Sequence, residues 1–135
     1  MDRIEWNDSY LLEIPEIDNQ HKKLLKIAND LYEVLSNKAD TYKVEMSKVL
    51  KGLTDYTVYH FSFEEKFMRK YGYVGADAHK LAHDGFIAEV NRQVKNLALD
   101  NRNAGLAFYK FMVNWILVHI AKADHVWADF VRPKL

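Results

Sequence analysis

The sequence predicts an all-α protein, an antiparallel up-down-up-down four-helix bundle with an irregular N-terminal arm and a short C-terminal helix. Three observations carry that expectation. Apolar residues recur at spacings of three and four through four long segments. Gly (5) and Pro (2) are too scarce for the many turns of a β protein. The breaks between segments are short, and short loops force neighbouring helices to run antiparallel.

Residues 1–18 read as the arm, with Trp6, Tyr10 and Pro15. Asp18 is the expected N-cap of a first helix over 19–37, whose apolar stripe is Leu24, Leu25, Ala28, Leu31, Tyr32 and Leu35. Lys38-Ala39-Asp40 is the turn that follows. The second helix is expected over 41–70, with Met46, Val49, Leu53, Tyr56, His60, Phe63 and Phe67 in register, and Gly72 and Gly75 end it. Asp77 is the expected cap of a third helix over 78–98, carrying Phe86, Ile87, Val90, Val94 and Leu97. After a polar break at Asp100–Asn103, the fourth helix is expected over 104–122, with Phe108, Met112, Trp115, Ile116, His119 and Ala123. A terminal turn over 124–131 ends before Pro133. Nearly all of these apolar stripes read as bundle core.

The 135 residues fit one domain, 1–135. Lys+Arg and Asp+Glu both number 19, so the basic excess of a general nucleic-acid binder is missing. No apolar stretch is read as a membrane span. The N-terminus, MDRIEWNDSY, lacks an apolar signal region, which points to the cytoplasm. No helix presents an obvious exposed apolar face, and the expectation is a monomer. Cysteine is absent, which excludes disulfides, thiolate zinc sites, iron–sulfur clusters and cysteine nucleophiles. Any metal must be held by His, Asp and Glu.

Six histidines are present, and a lone one on an apolar face is usually a core residue with a satisfied hydrogen bond. Their placement together is different. In an antiparallel bundle one end gathers the start of the first helix, the end of the second, the start of the third and the end of the fourth. His21, His60, Glu64, His79, His83, His119 and Asp124 all fall at that end. His60–Glu64 and His79–His83 are i,i+4 pairs, so each pair shares a helix face. His119 and Asp124 are five apart, which suits a carboxylate reaching sideways between two metals or a local distortion of the helix. Glu65 and His125 each follow one of these residues directly and point about 100° away, so both read as non-ligands. Five imidazoles, two bridging carboxylates and one solvent-derived bridge leave two octahedral metals one donor short of their twelve. The vacancy belongs on the metal with fewer histidines and makes a small-molecule site. Imidazole suits Fe, Zn, Cu and Ni, and bridging carboxylates with imidazole at two metals suit Fe and Mn, which argues for iron; the histidine-rich, weakly anionic set stabilises high-valent iron poorly. The Glu-x-x-His pattern of oxygen-activating di-iron bundles is missing.

Ile17-Asp18-Asn19-Gln20-His21, His60-Phe61-Ser62-Phe63-Glu64-Glu65, His79-Lys80-Leu81-Ala82-His83 and Trp115-Ile116-Leu117-Val118-His119 with Asp124 closely resemble the hemerythrin family over nearly the whole chain. The resemblance implies two non-haem iron ions with an oxo/hydroxo bridge and dioxygen as ligand. It implies His79, His83 and His119 on one iron, His21 and His60 on the other, open iron, and Glu64 and Asp124 as bridges. It also implies an apolar dioxygen pocket of Leu24, Phe61, Ile116 and Ile120. Two departures stand out: Tyr73-Val74 where bacterial relatives often have Tyr-Pro, and Ile116 where the family often has Leu.

The expected function is reversible dioxygen binding for storage, delivery or transport, not enzymatic turnover. An oxygen-consuming enzyme is the partner this implies. The alternatives are oxygen or nitric oxide sensing, a di-iron peroxidase or nitric oxide-detoxifying activity, and a structural metal bundle. A single domain is expected to fill the chain, leaving no room for a signalling module, and this favours a carrier or store. The vacancy disfavours a structural site, which is usually closed.

Overall fold

A computed structural model describes residues 4–36, 42–96 and 102–135. The helices are α1 (Pro15–Ser36), α2 (Tyr42–Lys70), α3 (Ala76–Asn96), α4 (Arg102–Val118) and α5 (His125–Val131), with a π-helical turn, His119–Asp124, joining α4 to α5. Short 3-10 turns lie at Asp8–Tyr10 and Arg132–Lys134. α1 packs on α2 and α4, and α3 packs on α2 and α4, so the four long helices close a ring. This is the up-down-up-down bundle expected from the short connections. The turn at 38–40 and the break at 100–101 lie outside the described residues.

The helix starts differ from expectation at α1, α3 and α4, the last beginning at Arg102, inside the expected polar break. α1 begins at Pro15, a residue whose fixed φ and missing N–H suit the first helical position. Asp18 is therefore inside the helix and does not cap it. Its buried carboxylate reaches back to accept the Leu12 N–H at 2.8 Å and the Ile14 N–H at 3.2 Å, which ties the arm to α1. α3 begins at Ala76, one residue ahead of Asp77, which is exposed and pairs with Arg69 at 2.8 Å. The end of α2 follows the sequence signal. Gly72 takes φ 72°, its N–H donates to the Arg69 carbonyl and the Tyr73 N–H donates to that of Met68. That double bond pattern closes a helix with glycine in the left-handed region.

The last helix is the largest correction. The expected short C-terminal helix is α5, but it follows α4 without a break, through one π turn, where a stop near 122 was expected. This Asn103–Lys134 stretch contains a window of mean hydropathy 1.4, long and apolar enough to cross a bilayer by composition alone. The same stretch carries the buried His119 and Asp124, which face the bundle interior.

Among the described residues, two apolar clusters fill the interior. The larger runs along the bundle through Leu25, Leu31, Met46, Leu53, Phe86, Val90, Phe108 and Met112, ending at Phe61, Ile116 and Ile120. The smaller joins the arm, the end of α2, the start of α3 and α5 through Leu12, Ile14, Ile17, Met68, Ala76, Trp127 and Val131. Among the described residues, ten buried polar or charged residues accompany them, and seven of these are the histidines and carboxylates singled out above.

Candidate metal centre

Each candidate ligand is placed by a simple helical rule. His60 and Glu64 are one turn apart on α2, and His79 and His83 one turn apart on α3, so each pair points inward together. His119 and Asp124 could not share a face of an α-helix at a spacing of five. The π turn supplies the extra residue, and both side chains are buried. A regular helix would rotate Asp124 away from the centre by about 100°.

The seven side chains converge into two groups. Atoms of Glu64, His79, His83, His119 and Asp124 lie within 4.8 Å of one another, and so do those of His21, His60 and Glu64. The carboxylates join the groups. Glu64 turns Oε2 to His21 at 3.0 Å and His60 at 3.4 Å, and Oε1 to His83 at 3.3 Å. Asp124 turns Oδ2 to His21 at 3.2 Å, and Oδ1 to His79 and His119, both at 3.0 Å. Each carboxylate therefore offers one oxygen to the two-histidine side and one to the three-histidine side.

The donor chemistry fits a cation at each side. The Nε2 atoms of His83 and His119 are 3.0 Å apart, and those of His119 and His79 are 3.1 Å apart. Three ring nitrogens so placed cannot each receive a proton from a neighbour, but all three can donate lone pairs to one ion. Glu64 Oε1 and Asp124 Oδ2 are buried and, although His83 and His21 lie 3.3 and 3.2 Å away, neither is aligned as a hydrogen bond, a costly state that a metal relieves.

Electrostatics agree. Burial opposes a charged His21, yet the Asp124 and Glu64 carboxylates outweigh it and raise its pKa to about 10. His83 is also raised, against burial, by Glu64, Glu65 and Asp124. Burial and Asp124 push Glu64 up, and His60 and His21 outweigh them, holding it well below the usual carboxylate range. Burial likewise opposes Asp124, which His119, His21 and His79 hold well below its usual value. The centre pairs two buried, ionised carboxylates with histidines whose protons a cation can replace.

A second layer holds the rings. Gln20 Oε1 accepts from His60 Nδ1 at 2.7 Å, and Glu65 Oε2 accepts from His83 Nδ1 at 2.9 Å. Trp127 Nε1 donates to Asp124 Oδ1 at 3.1 Å. Phe61 stacks on His83 with ring centroids 3.8 Å apart, and Trp115 stacks on His119 at 4.4 Å. Sequence reasoning missed Gln20, Trp115 and Trp127. Trp115 had a usable signal, since it lies one turn before His119. Glu65 lies behind His83 and outside the cluster. His125 is also outside, half-buried, with Nε2 donating to the Ser9 carbonyl at 3.1 Å. His125→Ala is expected to leave metal content and the optical spectrum unchanged. A lost metal ion, measured by elemental analysis, would place His125 in the centre.

The model of the hemerythrin HHE cation binding domain matches residues 12–131. The chain belongs to the hemerythrin family. It is 37% identical over 127 residues to a bacteriohemerythrin of Clostridium acetobutylicum, covering 92% of this chain and 98% of that protein. It is 32% identical over 136 residues to one of Pseudomonas aeruginosa PAO1, covering 100% of this chain and 86% of that protein. A crystal structure of wild-type hemerythrin superposes with a TM-score of 0.81 at 27% identity, covering 95% of this chain and 97% of that one. Membership of the hemerythrin family supports a di-iron, oxygen-binding protein, and the His/Glu/Asp cluster fits the metal site that this requires.

Proposed function

We propose that this hemerythrin binds dioxygen reversibly at two non-haem irons joined by an oxo/hydroxo bridge, as a monomeric cytoplasmic store or carrier. His79, His83 and His119 would hold one iron, His21 and His60 the other, and Glu64 and Asp124 would bridge them. The observation that carries the reading is the split of both carboxylates between a three-histidine and a two-histidine side. With one solvent bridge that donor set would be one short of two octahedra, and the vacancy would fall on the two-histidine side. When bound, the iron pair supplies two electrons that dioxygen can take up and return.

The chain's own residues favour binding over turnover. Among the described residues, the only buried titratable side chains besides tyrosine are these seven and Asp18. Asp18 is committed to the Leu12 and Ile14 N–H groups. Among the described residues, no other buried carboxylate or imidazole is left to carry protons to a bound ligand. Leu24, Phe61, Ile116 and Ile120 are all buried and are proposed to wall the vacancy against water.

Anaerobic loading with ferrous iron should give two irons per chain. Admitting oxygen should then produce a visible absorption band that disappears under vacuum and returns with oxygen. Prompt, irreversible conversion to the ferric form, or catalytic consumption of peroxide or nitric oxide, would overturn the reading. Ile116→Ala should still load two irons but oxidise irreversibly faster, because the wall is opened to water. It should also cost about 2–5 kcal/mol of stability as a large-to-small core change. An unchanged oxidation rate would assign Ile116 to the ordinary core.

A further inference from the structure

The two sides of the centre have different backing. On the three-histidine side, the Nδ1–H of His83 meets a carboxylate, Glu65, at 2.9 Å. On the two-histidine side, the Nδ1–H of His60 meets a neutral amide, Gln20, at 2.7 Å. Both imidazoles are buried. Both present Nε2 to the cluster, with Glu64 Oε1 at 3.3 Å from His83 and Glu64 Oε2 at 3.4 Å from His60. The two arrangements are alike in geometry and differ by one unit of charge.

A carboxylate accepting the far N–H of a ligating imidazole draws the proton toward itself and makes the ring a stronger donor. It also places a negative charge one imidazole away from the metal, and the low dielectric of the interior preserves that effect. Both contributions favour the more highly charged metal. An amide oxygen orients the ring equally well and supplies neither contribution in full. Glu65 is 15% exposed, so water screens it only in part.

We infer that Glu65 and Gln20 are positioning residues that set the order of oxidation: Glu65 makes the three-histidine position the first to give up its electron. This rests on the di-iron reading above. The consequence suits a binding site whose vacancy is on the other side. The remote, coordinatively full position becomes the readier electron donor, and the open position keeps its electron longest.

The test uses the full chain loaded with two ferrous irons and titrated without oxygen by ferricyanide, each ferricyanide accepting one electron. Mössbauer spectra after one equivalent report which position is ferric. The wild type should be oxidised first at the six-coordinate, three-histidine position. Glu65→Gln keeps a hydrogen-bond acceptor and removes the charge. It should make the first oxidation at least tenfold less favourable, a rise of 59 mV for a one-electron couple. It should also shift ferric character toward the other side. Gln20→Glu should do the reverse, favouring oxidation at the two-histidine position by a similar factor. Glu65→Ala, which frees the ring as well, separates orientation from charge, because only that variant should also lose metal affinity. Potentials unchanged within threefold in Glu65→Gln, or the same shift from both charge variants, would overturn the inference. Failure of the wild type to load two irons would instead overturn the di-iron reading.

Discussion

Asp124→Ala should empty the centre. The residue is fully buried and contacts His21 through one oxygen and His79 and His119 through the other. Removing it takes a donor from both metal positions and leaves the two histidine groups joined by Glu64 alone. Iron per chain should fall from two to less than one, measured by elemental analysis after anaerobic loading and desalting. The metal-free protein should suffer as well. Loss of one partner from a buried charge cluster leaves the other partners uncompensated and costs about 3–5 kcal/mol, readable in urea unfolding. The pH dependence identifies the cause. Glu64 and Asp124 are depressed, so their contribution to metal-free stability is present above about pH 4, their ordinary range, and is lost as pH falls through the folded values. His21 is raised, so its contribution is complete below about pH 6.5 and is lost as pH rises toward about 10. The metal-free wild type should therefore be most stable between about pH 4 and 6.5 as far as this cluster is concerned. Asp124→Ala should flatten that maximum. Two irons retained, with the maximum intact, would mean that Asp124 is not part of the centre.

The candidate ligands were legible in the sequence because a helical bundle converts spacing into place. Intervals of four on α2 and α3 and the alternation of chain direction bring His21, His60, His79, His83 and His119 to one end without any tertiary information. The five-residue interval from His119 to Asp124 announced a sideways carboxylate or a distortion, and the π turn supplies the distortion. The backing residues were another matter. Gln20 and His60 are 40 residues apart, and Glu65 and His83 are 18 apart. Such pairings depend on how two helices are rotated against each other. Polar side chains one position beyond a ligand look, in sequence, like ordinary surface. The helix starts were misplaced for a local reason. Asp18 and Asp77 have the chemistry of caps, but Pro15 begins α1 earlier and Asp18 spends both oxygens on the arm.

Trp127 shows how the apolar cap and the centre depend on one another. The indole is fully buried among Leu12, Ile17, Met68 and Val131, and packs edge-on against Phe67 at 5.9 Å. Its Nε1–H donates to the same Asp124 oxygen that faces His79 and His119. Trp127→Ala should cost about 3–5 kcal/mol from lost packing. It should also admit water to the arm side of the centre, so the ferrous protein should oxidise irreversibly faster. Trp127→Phe keeps most of the ring and removes only the donor. A hydrogen bond to a charged group contributes about 1.5–3 kcal/mol, so this variant should lose about that much in urea unfolding while still loading two irons. The oxygenated absorption band should shift, because Asp124 then turns more freely between the two metal positions. The two variants separate the wall from the hydrogen bond: faster oxidation belongs to Ala, the spectral shift to both. If Trp127→Phe matched the wild type in stability and spectrum, the indole N–H would have no part in holding Asp124, and the π turn alone would aim the carboxylate.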